Sequence, residues 1–130
     1  MAEKSNEAPI LVVDDDSTIL RLLDKFLTKK GHNIVVASNA EDAMEILKQN
    51  QNIGAILSDL KMPGKDGDEM VKDIRGMGSN IPVYIMTGFP ENDKVNKLNS
   101  YGVTEIVLKP LDLHSLEKKL YFTKNNDQIS

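Results

Sequence analysis

The sequence predicts an α/β domain in which five parallel strands form one sheet with helices on both faces. Short runs rich in isoleucine, valine and leucine alternate with amphipathic stretches five times along the chain. Strands that alternate with helices pair in parallel, because each helix carries the chain back to the same end of the sheet. Together with the right-handed crossover rule, this pattern favours a doubly wound, flavodoxin-like sheet with strand order 2-1-3-4-5.

The predicted strands are short apolar runs rich in β-branched residues. Their length suits the buried strands of a parallel sheet better than it suits helices. In chain order they are Ile10–Val13, Asn33–Val36, Ile53–Leu57, Ile81–Met86 and Glu105–Leu108.

Each predicted helix carries apolar residues three or four positions apart, which form one buried face. In chain order these faces are Ile19, Leu22, Leu23 and Phe26; Ala40, Ala43, Met44 and Leu47; Met70, Val71 and Ile74; Val95 and Leu98; and Leu113, Leu116 and Leu120. Ser17 and Asn39 are the predicted N-caps of the first two helices. The fourth helix has the fewest apolar residues, so we expect it to be the least stable and the most mobile.

Length and composition limit the possible functions. The chain has 130 residues, which suits one domain, expected at residues 9–122 between flexible tails at 1–8 and 123–130. A net charge of −4 argues against nonspecific binding of nucleic acid. Without cysteine, no disulfide or thiolate metal site is available. No apolar run is long enough for a membrane span or a signal peptide, so we expect a cytoplasmic protein.

Four of the predicted strands stop at residues capable of chemistry. The residues that follow them are Asp14-Asp15-Asp16, Asp59, Thr87-Gly88 and Lys109-Pro110. In an open parallel sheet these positions meet at the carboxyl edge, where ligands bind. A single such residue is easily a turn or surface residue, but the joint occurrence at four strand ends predicts a functional site.

The acidic residues predict a magnesium site. With strands one and three adjacent, Asp14, Asp15 and Asp59 share a small volume, and two carboxylates about 5 Å apart repel by roughly 3 kcal/mol at an effective dielectric of about 20. Mg²⁺ fits best, because every available ligand is an oxygen. Asp16 is expected to point away or to cap the first helix.

A magnesium site beside a spare carboxylate oxygen suits phosphoryl transfer. Asp59 is the candidate nucleophile, which would form an acyl phosphate. Thr87 is expected to donate its hydroxyl to a phosphoryl oxygen, and Lys109 to supply a second positive charge. His32 and His114 lie away from this cluster in the sequence pattern, and we expect both at the surface.

These motifs together resemble the receiver domain of bacterial two-component response regulators. The matching stretches are Ile10-Leu11-Val12-Val13-Asp14-Asp15-Asp16, Leu57 to Gly67 with its Asp-x-x-Met-Pro-x-x-Asp-Gly string, Ile85-Met86-Thr87-Gly88 and Leu108-Lys109-Pro110-Leu111. The likeness covers residues 9 to 122.

The resemblance implies that Asp59 accepts a phosphoryl group from a histidine on a sensor histidine kinase or a histidine phosphotransferase. It implies that Asp15, Asp59 and the backbone carbonyl of Lys61 bind Mg²⁺, with Asp14 acting through a water. Thr87 and Lys109 would then hold the phosphoryl group. The face made by the fourth helix, fifth strand and fifth helix would change its protein partners, without direct contact to nucleic acid or membrane.

The chain departs from the family pattern at three positions. Ile106 stands where the family usually has an aromatic residue that turns inward on activation, so this signal step is not expected in its usual form. Lys61 and Phe89 stand at two positions that tune loss of the phosphoryl group. Neither has a carboxamide or carboxylate to orient an attacking water, which predicts a long-lived phosphoryl state.

Two alternatives stay open at the level of sequence. Asp14-Asp15-Asp16-Ser17-Thr18 also resembles the Asp-x-Asp-x-Thr motif of haloacid-dehalogenase-type phosphatases, with Asp14 as nucleophile. Against this reading, no acidic pair ends a strand after Lys109, and Asp59 would have no role. The second alternative is a receiver-like module that binds partners without being phosphorylated.

Overall fold

The computed structural model describes residues 8–50 and 52–129, with side chains up to residue 121. Five parallel strands form one sheet in the order β2-β1-β3-β4-β5, which confirms the predicted topology. They are β1 (Ile10–Val13), β2 (Ile34–Ala37), β3 (Ala55–Asp59), β4 (Val83–Thr87) and β5 (Glu105–Leu108). The helices are α1 (Ser17–Lys29), α2 (Ala40–Gln49), α3 (Gly67–Gly76), α4 (Asn92–Ser100) and α5 (Leu113–Ile129).

Alternate residues of the central strands supply two separate cores, one on each face of the sheet. On one face, Leu11, Ile56 and Ile85 pack against α2, α3 and α4. On the other, Val12 and Leu57 pack against α1 and α5. Because side chains alternate between faces along a strand, a run that is buried throughout is needed to serve both cores.

The fourth helix has the smallest apolar contact, as the sequence predicted. Leu98 is its one fully buried residue, and Val95 is half-buried. By comparison, α3 buries Met70, Val71 and Ile74. The docking of α4 therefore depends more on polar contacts than does the docking of α3.

Local predictions differ from the structure at the start of α1 and in the bounds of β2, β3 and β4. Strand β2 begins and ends one residue later than predicted. The N-cap of α1 is Asp16 and not Ser17, because the Asp16 carboxylate accepts hydrogen bonds from the backbone N–H groups of Thr18 and Ile19. Strand β3 begins and ends two residues later than predicted and includes Asp59, while β4 begins two residues later, ends one residue later and includes Thr87. These two residues extend their strands because β3 and β4 stay paired to the sheet edge.

The chain ends also differ in part from the predicted flexible tails. Helix α5 continues to Ile129, where a flexible tail from residue 123 was predicted, since no glycine or proline interrupts it before that point. Of the predicted tail at 1–8, residues 1–7 lie outside the described residues. No helix in the described part of the chain is both long and apolar enough to cross a bilayer.

One histidine prediction is wrong. His32 is buried, and its Nε2 lies 2.7 Å from Glu117 Oε2 of α5. The turn after α1 packs beneath α5, which covers the ring. His114 is exposed, as predicted, and meets the ring of Phe26 edge-on.

Candidate functional site

Strand register brings the predicted site residues to one edge of the sheet. Val13 pairs with Ser58, so Asp14 and Asp59 follow neighbouring positions on β1 and β3. Asp59 itself pairs with Met86, which places Thr87 one residue beyond it on β4. Thr87 pairs with Leu108, the residue before Lys109. The predicted convergence of the four strand ends follows directly from this pairing.

Three carboxylates form a compact cluster at this edge. One carboxylate oxygen each from Asp14, Asp15 and Asp59 lie within 4.8 Å of one another. Asp14 is 1% exposed and Asp59 is 9% exposed, while Asp15 is open to solvent. Asp16 is turned to the start of α1, as expected. The cluster therefore has one open side, formed by Asp15, through which a cation or a phosphoryl donor can approach.

Each buried carboxylate of the cluster is held by a backbone N–H. Asp14 Oδ1 accepts a hydrogen bond of 2.9 Å from Asp16 N, and Asp59 Oδ1 accepts one of 3.0 Å from Leu60 N. Lys109 Nζ donates to the same Asp59 oxygen at 3.0 Å and lies 4.0 Å from Asp14 Oδ2. The ammonium therefore compensates part of the negative charge of the cluster.

Asp14 Oδ2 has no hydrogen-bond partner among the described residues, although it is buried. Burial is the largest cause that raises the pKa of the Asp14 carboxyl above its ordinary value, and the nearby Asp59 charge adds to this effect. A buried oxygen without a hydrogen bond, beside two further carboxylates, fits a hard divalent cation such as Mg²⁺, which prefers oxygen ligands.

The raised pKa of Asp14 predicts that this charge destabilises the metal-free protein. A carboxyl whose folded pKa exceeds its unfolded value makes the fold less stable as pH rises between the two values. We therefore expect Asp14→Asn to increase the free energy of unfolding at pH 7 by on the order of 1 kcal/mol. The decrease of this free energy as pH rises above about 4 should also become smaller. Urea unfolding in EDTA across pH measures both effects, with Glu45→Gln, which removes an exposed carboxylate of α2 outside the cluster, as control. A less stable Asp14→Asn protein at pH 7 would contradict the prediction.

Lys109 and Thr87 are joined through the backbone of the two edge strands. Lys109 N donates to Thr87 O at 2.9 Å, and the Lys109–Pro110 peptide is cis. Thr87 is buried, and its Oγ1 accepts a hydrogen bond of 3.1 Å from Phe89 N. This contact leaves the Thr87 hydroxyl hydrogen available to an acceptor.

The loop after Asp59 is closed by residues for which no individual role was predicted. Asp66 Oδ1 accepts a hydrogen bond of 3.1 Å from Met62 N, and Gly67 N donates to Leu60 O at 2.7 Å. A Cβ at Gly67 would lie 2.6 Å from the backbone oxygen of Asp59, closer than real atoms approach. Lys61 lies in this loop, two residues after Asp59, with an exposed side chain.

A model of the response regulator receiver domain family matches residues 10–121. The chain belongs to this family. Its matched segment contains every residue of the site described above. This membership argues against the haloacid-dehalogenase-type reading, in which Asp14 would be the nucleophile.

Individual relatives agree with the family assignment. The receiver domain is 32% identical to sporulation initiation phosphotransferase F of Bacillus subtilis, over 90% of this chain and 96% of that protein. A crystal structure of a response regulator receiver domain protein from Clostridium thermocellum superposes with a TM-score of 0.86 at 28% identity, over 94% of this chain and 98% of that one.

Other relatives are much longer. A cyclic di-GMP phosphodiesterase of Thermotoga maritima is 27% identical over 90% of this chain, which spans 31% of that protein. Among several further curated response regulators, the chain spans between 18% and 45% of the relative's length. The likeness to these proteins is therefore a likeness to their receiver domains.

The positions at which this receiver domain departs from the expected pattern lie two or three residues from Asp59, Thr87 or Lys109 along the chain. Ile106 on β5 is half-buried and packs against the core formed with α2, α3 and α4. Phe89 is 80% exposed, two residues after Thr87. An exposed aromatic ring at this place can contact a partner or cover the approach to Asp59.

Two more charged residues next to the site were missed at the level of sequence. Asp68 is buried on α3, and its Oδ2 accepts a hydrogen bond of 3.1 Å from Lys94 Nζ on α4. A signal for Asp68 was present, because it precedes Val71 by three residues and so falls on the apolar face of its helix. Lys94 gave no such signal, since a lysine on a polar helix is usually solvated.

Proposed function

We propose that this receiver domain is a phosphoacceptor in which Asp59 takes a phosphoryl group from a phosphohistidine. The observation that carries the proposal is the setting of Asp59 Oδ1, 3.0 Å from Lys109 Nζ and inside a cluster of three carboxylates. A carboxylate held in this way at the open edge of a sheet is poised to act as nucleophile. Membership of the receiver domain family supports the same role.

Mg²⁺ is the proposed cofactor. Asp15, Asp59 and the backbone carbonyl of Lys61 would hold it, with Asp14 contributing through a water. The ion supplies positive charge that offsets the negative charge of the phosphoryl group. The Asp14 oxygen that lacks a hydrogen bond and the all-oxygen donor set support this assignment.

The proposed reaction exchanges one bond to phosphorus for another. A carboxylate oxygen of Asp59 forms a bond to phosphorus while the bond from phosphorus to the donor histidine nitrogen breaks. The imidazole leaves with the electron pair of that bond, and its nitrogen takes a proton from solvent when it requires one. Lys109 and the hydroxyl of Thr87 bind the phosphoryl oxygens, whose charge they stabilise.

The proposed partners are a sensor histidine kinase or a histidine phosphotransferase, and a downstream protein. The name of the Bacillus subtilis relative, a phosphotransferase, supports a place in a phosphorelay. The face formed by α4, β5 and α5 is the proposed downstream surface. Leu108 and Tyr121 on this face are 58% and 55% exposed, and exposed apolar side chains favour protein contact. The proposed location is the cytoplasm.

Labelling with a small phosphodonor tests the proposal. We expect the wild-type protein to take up an acid-labile phosphoryl group from acetyl phosphate in the presence of Mg²⁺, and Asp59→Asn to take up none. EDTA should suppress the wild-type reaction. Absence of label from the wild-type protein would favour instead the alternative of a module that acts without phosphorylation.

A long phosphoryl lifetime is expected from the residues beside Asp59. Neither Phe89 nor Lys61 can orient a water for attack on phosphorus, because neither has a carboxamide or carboxylate. We expect the label to persist for many minutes at pH 7 and Phe89→Glu to shorten its lifetime about tenfold or more. Quenched samples analysed by intact mass measure the decay, with Phe89→Leu as a control that keeps an apolar side chain. Loss of the wild-type label within seconds would contradict the expectation.

A further inference from the structure

The N-terminal end of α4 is attached to the rest of the domain by charge. Lys94 Nζ lies 3.1 Å from Asp68 Oδ2 and 3.7 Å from Asp66 Oδ2, both at the start of α3. The first turn of α4 has no side-chain cap, because its N-cap residue Glu91 makes no capping hydrogen bond. Its one fully buried apolar residue, Leu98, lies near the other end. Lys94 therefore holds this end of α4 to α3 through two charged contacts. A second, exposed ion pair, Lys61 Nζ with Glu91 Oε1 at 3.9 Å, joins the N-cap residue of α4 to the loop after Asp59.

The location of Lys94 on its own helix is unfavourable without these partners. It is the third residue of α4, where the helix dipole disfavours a cation. Asp66 and Asp68, in contrast, lie at the N-terminal end of α3, where the dipole favours anions. The Asp68 hydrogen bond raises the pKa of Lys94 above its ordinary value, which favours the charged ammonium further. The two helix ends thus depend on each other for charge compensation.

The Asp68 carboxylate depends on Lys94 for charge compensation more than Lys94 depends on Asp68, because the Lys94 side chain also reaches solvent. Asp68 is 4% exposed, and its Oδ1 has no hydrogen-bond partner among the described residues. Removing the partner of a buried charge costs far more than removing an exposed ion pair. Loss of the Lys94 ammonium would therefore leave an unpaired buried charge at the start of α3.

Asp66 connects this ion pair to the loop after Asp59. It is the N-cap residue of α3, yet its side chain makes no capping hydrogen bond to that helix. Its Oδ1 instead accepts from Met62 N, and its Oδ2 faces Lys94. One carboxylate thus contacts both the residue next to Lys61 and the first turn of α4.

The opposite end of α4 is fixed separately. Arg75 of α3 donates to the backbone oxygens of Tyr101 and Gly102, just after α4, at 2.7 and 3.1 Å. The same guanidinium also donates to Ser79 O and Ile81 O, which anchors it to the loop before β4. The C-terminal end of α4 is thus held by contacts in which Lys94 takes no part.

We propose that Lys94 is a positioning residue that fastens the first turn of α4, through Asp66 and Asp68, to the loop that follows Asp59. A rearrangement of this loop then changes the position of α4, which gives phosphorylation a route to the α4 surface that does not use residue 106. The coupling to phosphorylation rests on the proposed function, whereas the fastening of α4 stands on the contacts alone.

Hydrogen exchange of the backbone amides of α4 tests the proposal in the full chain. In unlabelled protein, we expect Lys94→Gln to raise exchange in residues 95–99 at least tenfold without change in α1. Lys94→Arg, which keeps the charge, should restore protection, and Lys97→Gln, a change to an exposed lysine on the same helix, should match the wild type. If the α4 amides of Lys94→Gln exchange as slowly as those of the wild type, Lys94 does not fasten this helix.

A second comparison separates coupling from simple loosening. We expect labelling with acetyl phosphate and Mg²⁺ to change the hydrogen exchange of α4 in the wild type. In Lys94→Gln, which should still take up label, the difference in α4 exchange between labelled and unlabelled protein should fall by half or more. The double variant Lys94→Gln/Asp68→Asn leaves no unpaired buried charge, so it should fold normally and still lack the difference. If labelling changes α4 exchange in either variant as much as it does in the wild type, the proposed coupling is wrong. A wild-type protein without label would refute the proposed function, and the unlabelled samples would still decide the fastening.

Discussion

Replacing Lys109 with methionine is expected to slow phosphoryl uptake from acetyl phosphate by about 100-fold, the usual effect of removing one preorganised charge from a transfer site. Lys109 Nζ is 3.0 Å from Asp59 Oδ1 and 4.0 Å from Asp14 Oδ2. It holds the carboxylate and, in the proposed reaction, offsets the negative charge that develops during transfer. Methionine keeps most of the length and apolar bulk of the side chain and removes the ammonium.

The matched control is Lys97→Met, which removes an exposed lysine from α4 and should leave the labelling rate unchanged. Initial rates from intact-mass measurements at saturating Mg²⁺ allow the comparison. A labelling rate for Lys109→Met within about threefold of the wild type would contradict the role given to Lys109. Far-UV circular dichroism establishes that both variants are folded.

Replacing Gly67 with alanine is expected to destabilise the fold by about 1–3 kcal/mol, the range for inserting a methyl group into a packed site. The added Cβ would lie 2.6 Å from Asp59 O and 3.1 Å from Leu60 Cα, and both contacts are backbone atoms that cannot turn aside. The start of α3 or the end of β3 must move. Since Asp59 is the last residue of β3, we also expect slower labelling. Urea unfolding measures the first effect.

Gly76→Ala is the matched control in the same helix. A Cβ at Gly76 meets no atom within 4 Å, and alanine favours helix over glycine by about 0.5–1 kcal/mol. This variant should be as stable as the wild type or more so, with unchanged labelling. Equal stability of the Gly67→Ala and Gly76→Ala variants would show that the close approach at Gly67 does not constrain the strand end.

The sheet and its carboxyl edge were predictable because local pattern and topology agree. The runs at β1 and β5 matched their predicted bounds, and the strand order followed from alternation and crossover handedness. Asp14, Asp59 and Lys109 could be grouped before any contact was known, since parallel strand ends converge. Strand ends themselves were less predictable, because Asp59 and Thr87 extend their strands through pairing and not through propensity.

Contacts between helices were not predictable from periodicity. His32 looked like a turn residue, but the packing of α5 buries it against Glu117. Lys94 looked like a solvated lysine, but it meets a carboxylate buried on another helix. Such pairs join residues distant in sequence, and a polar residue at a helix surface carries no local sign of its partner. For the same reason, α4 was recognised as weakly apolar while the ion pair that positions it was missed.

Asp59 is the proposed nucleophile, and locating the phosphoryl group tests this role most directly. The measurement is peptide mapping after labelling with acetyl phosphate and Mg²⁺ and reduction of the acyl phosphate with borohydride, which marks the modified carboxyl. The proposed role of Asp59 predicts a modification at this residue alone, in a peptide that spans the end of β3. A modification at Asp14 or Asp15, or at no aspartate in a protein that carries label, would contradict it.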